Sequence, residues 1–180
     1  MKIVSILSAC ALGAMLANAA PYEVDNAHSS VGFKIKHMSI SNVVGNFKDF
    51  SAEIDAENGK LNKLSAVVKT ASVFTDNEKR DAHLQADDFF GSEKFPDMKF
   101  EMKEFAPDKV KGELTIRDVT KEVEFDYDFG GEAKQGDKDK IGFSLEGKIK
   151  RSDFNFAPGS GTAMLGDDIK ISIEIEAVAK

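Results

Sequence analysis

Three histidines, arginine–aspartate pairs and a single cysteine, Cys10, make up most of the reactive chemistry of this 180-residue chain. His28, His37 and His83 lack the His-x-x-x-His spacing of a helical metal site and have no partner cysteines, so structural roles are the better reading and no metal is expected. No Gly-x-Ser-x-Gly elbow, Walker loop or dinucleotide glycine motif is present, and nucleophilic catalysis has no good candidate. Arg80-Asp81 and Arg151-Ser152-Asp153 are the strongest polar pairs. An arginine fork at a pocket mouth can hold a phosphate or carboxylate, yet an arginine beside an aspartate more often ties a loop to a strand. The acidic neighbour is expected to satisfy each arginine. The inventory points to binding rather than catalysis.

The elements that would position these residues are strands. Ile169-Lys170-Ile171-Ser172-Ile173-Glu174-Ile175-Glu176-Ala177 alternates apolar and polar residues with a period of two, which buries one face of a strand and wets the other. The same grammar sets Val31, Phe33, Ile35 and His37 against Lys34 and Lys36. It sets Met98, Phe100 and Met102 against Lys99, Glu101 and Lys103, and Phe125, Tyr127 and Phe129 against Glu124, Asp126 and Asp128. Asn58-Gly59 is a hairpin turn. Val44-Gly45-Asn46 reads as a break, and residues 130–140 as a polar loop. Residues 76–90 form the one convincing helical region, with Asp76 or Asn77 as cap and Asp87 to Gly91 as a further helical turn. It is expected to lie across one end of the sheet. The count is roughly eight strands, which close naturally into an antiparallel barrel whose interior holds side chains or one slim ligand. Periodicity alone does not separate a barrel from a sandwich. The inward set of Phe33, Phe50, Phe100, Phe125, Phe129 and Phe143, with Met98 and Met102, makes a smooth wall without polar handles. Plain core is the ordinary reading of such a set.

Composition narrows the class. A net charge of −7 argues against a nucleic-acid footprint. Lys2, an apolar run over residues 3–16 and Ala17-Asn18-Ala19 make residues 1–19 a signal peptide, leaving one domain over residues 20–180. Cys10 falls inside that leader, so the exported domain has no disulfide and packs unaided, as suits a periplasm or the cell exterior. No later stretch reaches the ~18 apolar residues of a membrane span.

Several blocks taken in order resemble the YceI-like family. They are His28-Ser29-Ser30-Val31-x-Phe33-x-Ile35-x-His37-Met38, Val44-Gly45-x-Phe47-x-x-Phe50, Arg80-Asp81-x-His83-Leu84-x-x-x-Asp88-Phe89-Phe90 and Arg151-Ser152-Asp153-Phe154. Phe95-Pro96 and Gly112-x-Leu114-Thr115-Ile116-x-x-Val119-Thr120 match as well. The resemblance covers nearly all of the chain beyond the leader. Asn155 departs from it, standing where relatives usually carry glycine, and a local loop change is expected there.

The resemblance implies an all-β, extended, lipocalin-like eight-stranded barrel with a short helical segment near the cavity entrance. It implies a periplasmic carrier of a polyprenyl lipid, quinone or fatty chain, with no enzymatic activity and no cofactor beyond that ligand; a homodimer is a further expectation. It turns the apolar set from inert core into a ligand wall: Phe33, Ile35, Phe47, Phe50 and Val68, then Phe74, Phe90, Met98, Phe100 and Met102, then Phe125, Phe143 and Phe154, with Met38. His37, His83 and Arg151 are the candidates for a head group. A twenty-carbon chain buried at ~0.8 kcal/mol per methylene gives roughly 16 kcal/mol gross, so affinity can come from the tail alone. Two readings stand beside the carrier. One is a structural or stress-response barrel with a full core. The other is a hydrolase of lipid head groups with His83 and Asp81 as acid and base.

Overall fold

The computed structural model describes residues 20–180, and the expected signal peptide at 1–19 lies outside the described residues. The strands are β1 (Ala20–Val24), β2 (Ser30–His37), β3 (Ser41–Phe47), β4 (Phe50–Glu57), β5 (Lys60–Lys69), β6 (Val73–Phe74), β7 (Asp97–Ala106), β8 (Lys109–Ile116), β9 (Val119–Gln135), β10 (Lys138–Lys150) and β11 (Leu165–Ala179). The helix α1 spans Glu78–Leu84, and 3-10 turns occupy Thr70–Ser72 and Arg151–Phe154.

Six of these strands are halves of interrupted staves. β1 and β2 both lie along β11, which pairs with β2 through Leu165 to Glu174 and with β1 through Ala177 to Ala179. β4 pairs with β1 while β3 pairs with β2, and β5 pairs with β4 while β6 pairs with β3. Joined in this way, β1/β2, β3/β4, β5/β6 and β7 through β11 make eight antiparallel staves, and the β1–β11 ladder closes the ring. Closure leaves no long edge to protect.

The hairpin turns after β4, β7 and β9 lie at one end with the two termini of the domain, and this end is closed. Tyr22, Ile54, Leu61, Val110, Tyr127 and Ile141 fill it as one buried cluster. Asn58 and Gly59 take φ of 50° and 74°, the conformation that a two-residue hairpin demands. The Tyr127 hydroxyl donates to the Gly59 carbonyl at 2.9 Å. Phe129 keeps its inward register opposite Phe143, but its ring lies at this end against Gly59.

At the other, open end sit the β2–β3 turn, residues 75–96 with α1, and residues 151–164. Asn77 caps α1, its side chain accepting from the Arg80 backbone N–H. The stretch after Leu84 does not continue as helix. Phe90 and Gly91 donate to Leu84 and Ala86, and Gly91 turns the chain out at φ 59°. No helix among the described residues is long and apolar enough to cross a membrane.

Two other expectations are corrected. Gly45 lies inside β3, paired with Phe33, and the interruption comes at residues 48–49. Residues 130–140 are not a loop but the tip of the β9–β10 hairpin, with Gln135 paired to Lys138 and Gly136 at φ 64°. Backbone ladders need no apolar side chains, so the segment's polarity hid a strand. Asn155 adopts φ 51°, the left-handed region that asparagine tolerates better than most residues, so its substitution for glycine leaves the backbone path open.

Arg151, 4% exposed, organises the open end. Its guanidinium donates to the carbonyls of Gly166 (3.1 Å), Phe156 (3.2 Å), Ala157 (2.8 Å), Ser160 (2.6 Å) and Leu165 (3.2 Å). These backbone acceptors, rather than Asp153, satisfy it. Lysine offers a point charge in place of the planar fork. Arg151→Lys is therefore expected to cost ~3 kcal/mol or more and to lower Tm by roughly 10 °C in a calorimetric scan.

Burial pushes the Tyr127 phenol up to about 12. The folded state thus holds a proton that an unfolded tyrosine releases near pH 10. The stability from this group is complete below pH 10 and lost as pH rises toward 12. Tyr127→Phe should flatten that alkaline decline in denaturant titrations at successive pH values; an unchanged decline would place its origin elsewhere.

Candidate functional site

Above the filled end, the inward side chains stop short of the barrel axis and leave a lumen. A cavity of about 410 Å³ runs from a floor of Leu64, Phe125, Phe143 and Leu145 to the open end, within the ~300–1,000 Å³ range of ligand sites. Its walls come from every stave. Val31, Phe33 and Ile35 come from β2, Val43 and Phe47 from β3, Phe50 and Ala52 from β4, and Ala66 and Val68 from β5. Met98 and Phe100 of β7, Leu114 and Ile116 of β8, and Ile169, Ile171, Ile173 and Ile175 of β11 complete them.

Several of these inward residues, among them Phe33, Val68, Phe100, Leu114, Ile171 and Ile173, are only half-buried although they point to the barrel axis. Their remaining accessible surface faces the cavity.

Glycines keep the lumen wide. Gly45, Gly112 and Gly147 all occupy inward positions on their strands, and each is covered by a phenylalanine ring of an adjoining strand. A Cβ built on Gly45 would stand 2.5 Å from the Phe33 ring, one on Gly112 2.6 Å from Phe100, and one on Gly147 2.5 Å from Phe125. Only a residue without a side chain lets these rings lie against the sheet.

Apart from Lys99 of β7, the polar residues of the wall gather at the open end, where His37, Arg80, His83, Arg151 and Ser160 reach it together with Met164. Arg80 donates to the Thr75 hydroxyl and carbonyl, each at 2.7 Å. Asp81 accepts from the Thr75 N–H and hydroxyl. Both members of this pair thus turn to Thr75 rather than to each other. His83 lies 3.4 Å from Asp88 and edge-on to Phe89 at 4.8 Å. The acid–base pairing of His83 with Asp81 is therefore not formed. An aromatic series of Phe33, Phe47, Phe90, Phe156 and Phe89, with successive centroids 4.7–5.7 Å apart, leads from the wall to His83. Arg117 fixes the end of this series by donating to the Phe89 carbonyl at 2.9 Å, and Ala157 donates to the Asp88 carbonyl at 2.8 Å.

Of the seventeen residues expected to touch a ligand, the structure brings fourteen to the cavity wall. Met38, Phe74 and Met102 lie off it. Met38 is in the β2–β3 turn at φ 50° and is half exposed. Phe74 points outward because its neighbour Val73 takes the inward position, and the Lys48 ammonium sits 4.7 Å over its ring. Met102 packs below the floor against the filled cluster. Arg151 borders the cavity, but its guanidinium is committed to the carbonyls described above.

Among the wall residues that sequence reasoning left out are the β11 isoleucines, Leu84, Phe89, Phe156, Arg80 and the small residues Ala52 and Ala66. The isoleucines carried the signal openly, since theirs is the cleanest alternation in the chain. The alanines carried a fainter signal, Ala52 in period with Phe50 and Ile54, and Ala66 within the apolar run from Leu64.

Away from the cavity, His28 lies 3.0 Å from Asp25 and 3.9 Å from Glu176. These three groups have metal-ligand spacing, but the Lys140 ammonium already contacts both carboxylates, at 3.5 Å and 2.5 Å. His28 and Lys140 hold the Asp25 carboxyl below its ordinary range.

Comparison with known proteins agrees with this architecture. A YceI-like domain matches residues 22–177. A UPF0312 protein of Staphylococcus epidermidis is 37% identical over 163 residues, covering 86% of this chain and 95% of its own. A UPF0312 protein of Photorhabdus laumondii is 38% identical over 172 residues, covering 91% and 90%. The Campylobacter jejuni YceI crystal structure superposes with a TM-score of 0.75 at 53% identity, over 87% of this chain and 96% of that one. Burkholderia cenocepacia BcnA superposes at 0.73 with 26% identity, over 87% and 99%. A polyisoprenoid binding domain from Saccharophagus degradans shares the fold at 15% identity, with a TM-score of 0.71 over 90% and 99%. With its barrel intact and its domain matched from end to end, the chain belongs to the YceI-like family.

Proposed function

We propose that this protein is an exported carrier that holds the tail of a long-chain isoprenoid, such as a polyprenyl lipid or quinone, in its lumen. The observation that carries the reading is the cavity itself: inward side chains of every stave border empty, apolar space where a filled barrel would interdigitate them. This favours the carrier over a structural barrel with a full core. The fold shared with the Saccharophagus degradans polyisoprenoid binding domain supplies the chemical class to test. The leader at residues 1–19 and the lack of cysteine beyond it suit delivery to the periplasm or beyond.

The lumen also sets a length. A methylene takes up about the space of a water molecule, ~30 Å³, so 410 Å³ accommodates roughly fourteen carbons, or about three isoprene units. Burying them contributes about 11 kcal/mol gross, enough for binding without a head-group contact once association costs are subtracted. Affinity should rise with chain length to about three units and then level, because further carbons extend past the mouth.

The Phe100 ring occupies the space above Gly112. An indole does not fit that niche and must turn into the lumen. In a displacement titration, Phe100→Trp should weaken three-unit prenols more than one-unit prenols; equal losses across lengths would remove Phe100 from the wall.

Native mass spectrometry of protein purified from the cells that make it, with analysis of the released mass, tests the carrier directly. A stoichiometric isoprenoid or acyl species is expected. A bare polypeptide that also refuses added prenol would overturn the proposal in favour of an unliganded barrel.

A further inference from the structure

Charged residues make up 31% of the chain, yet residues 38–47 and 154–166 contain none. These two segments meet at the open end: Met38 N–H donates to the Met164 carbonyl at 2.8 Å, and Ser39 Oγ to the Ala163 carbonyl at 3.3 Å. The junction carries apolar side chains in solvent, with Ile40 82% exposed, Met164 55% and Met38 50%. Met164 also belongs to the cavity wall, so the exposed apolar surface continues into the lumen.

Behind this tip, on the outer face, stand Lys34, Lys36 and Lys170. Lys34 and Lys170 are opposite each other across the β2–β11 ladder. The nearby carboxylates Asp167 and Asp168 are engaged by Lys148 and Lys150. Among the described residues, none of these three lysines forms an ion pair. In a protein of net charge −7, an unpaired basic face beside an uncharged apolar tip is a local reversal of sign. Acidic groups at the open end, among them Glu78, Asp87 and Asp88, lie on the α1 side of the mouth instead.

We infer that the β2–β3 tip docks on an anionic lipid bilayer, with Met38, Ile40 and Met164 entering the interface and Lys34, Lys36 and Lys170 meeting the head groups. The molecule leans toward its β2–β3 side, and the α1 side stays in water. Apolar insertion beside a basic patch is the arrangement that binds anionic membrane surfaces. Charge complementarity favours a bilayer over a second copy of this chain, because a second copy would set the same lysines near one another. The inference rests on the carrier reading for its purpose: a prenyl tail could pass from bilayer to lumen along one apolar surface without crossing water.

The chain has no tryptophan, so Ile40→Trp gives a single reporter. With phosphatidylglycerol–phosphatidylethanolamine vesicles its emission should shift to the blue and the protein should float with the lipid. With phosphatidylcholine vesicles both effects should be much smaller. Ile40→Asp combined with Met164→Asp should lower partition at least tenfold. Lys34→Gln with Lys36→Gln should lower it roughly thirtyfold on anionic vesicles only, from ~1 kcal/mol per lysine. All four positions are exposed, and unchanged melting of the variants checks that the barrel is intact.

An unshifted emission with no flotation on anionic vesicles overturns the docking. So does a dimer that Ile40→Asp dissociates in sedimentation while vesicles are ignored, since a second copy then covers the tip. Farnesol uptake from solution reads the cavity separately. Uptake without vesicle binding refutes the docking and leaves the carrier, whereas vesicle binding without uptake retains the docking and refutes the carrier.

Discussion

Phenylalanine rings laid against glycines of adjoining strands hold the lumen open, and most of the molecule's other features follow from that constraint. An eight-stranded barrel is narrow, and inward phenylalanines on all its staves would meet at the axis. Gly45, Gly112 and Gly147 each give up a side chain so that Phe33, Phe100 and Phe125 can lie along the wall. Each glycine weakens its strand by removing a packing partner. The ring that covers it restores the lost contact, and apolar volume shifts from the axis to the wall.

The closed end compensates for the hollow one. Tyr22, Ile54, Leu61, Val110 and Ile141 form a dense cluster there, and the Tyr127 hydroxyl ties the sheet to the Gly59 turn. The open end is ordered differently, by polar groups acting on backbone. Arg151 gathers five carbonyls of residues 156–166, Thr75 engages both Arg80 and Asp81, and the Thr70 hydroxyl donates to Phe95 and Pro96. Hydrogen bonds to backbone position loops without filling space, which is what the mouth of a cavity requires. Packing therefore carries stability at one end and leaves the other available for function.

Period-two alternation made the strands legible because each inward position is apolar for the same reason, and the count of eight survives since the interrupted staves add up to it. What alternation does not encode is the distance from an inward side chain to its counterpart across the barrel. Phe33 and Tyr127 carry the same pattern in sequence, but one borders empty space and the other belongs to the plug. The β3 glycine was misread as a break because glycine signals turns far more often than ring niches. Met38 and Phe74 illustrate the opposite error: apolar identity was legible, but a positive φ and a two-residue strand sent both side chains outward. The arginines were separable only in three dimensions. Arg151 is consumed by carbonyls, whereas Arg80 reaches the mouth, and both stand beside an aspartate in sequence.

A lumen whose buried Arg151 is already committed to backbone carbonyls, and whose wall is otherwise apolar below the mouth, has a consequence for selectivity. Polar sites reject analogues that leave a buried donor or acceptor unpaired, while an apolar pocket distinguishes neighbouring ligands only by the small increment of each methylene. On the proposed carrier reading, the wall discriminates by length and girth, through the floor at Leu64 and Phe143 and the rings above it. Chemical identity can be read only at the mouth, where His37, His83, Arg80 and Ser160 stand at the boundary with solvent. There the dielectric is high and each polar contact is correspondingly weak. The architecture thus fits a protein that accepts a class of amphiphiles by tail and leaves the choice of head group loose.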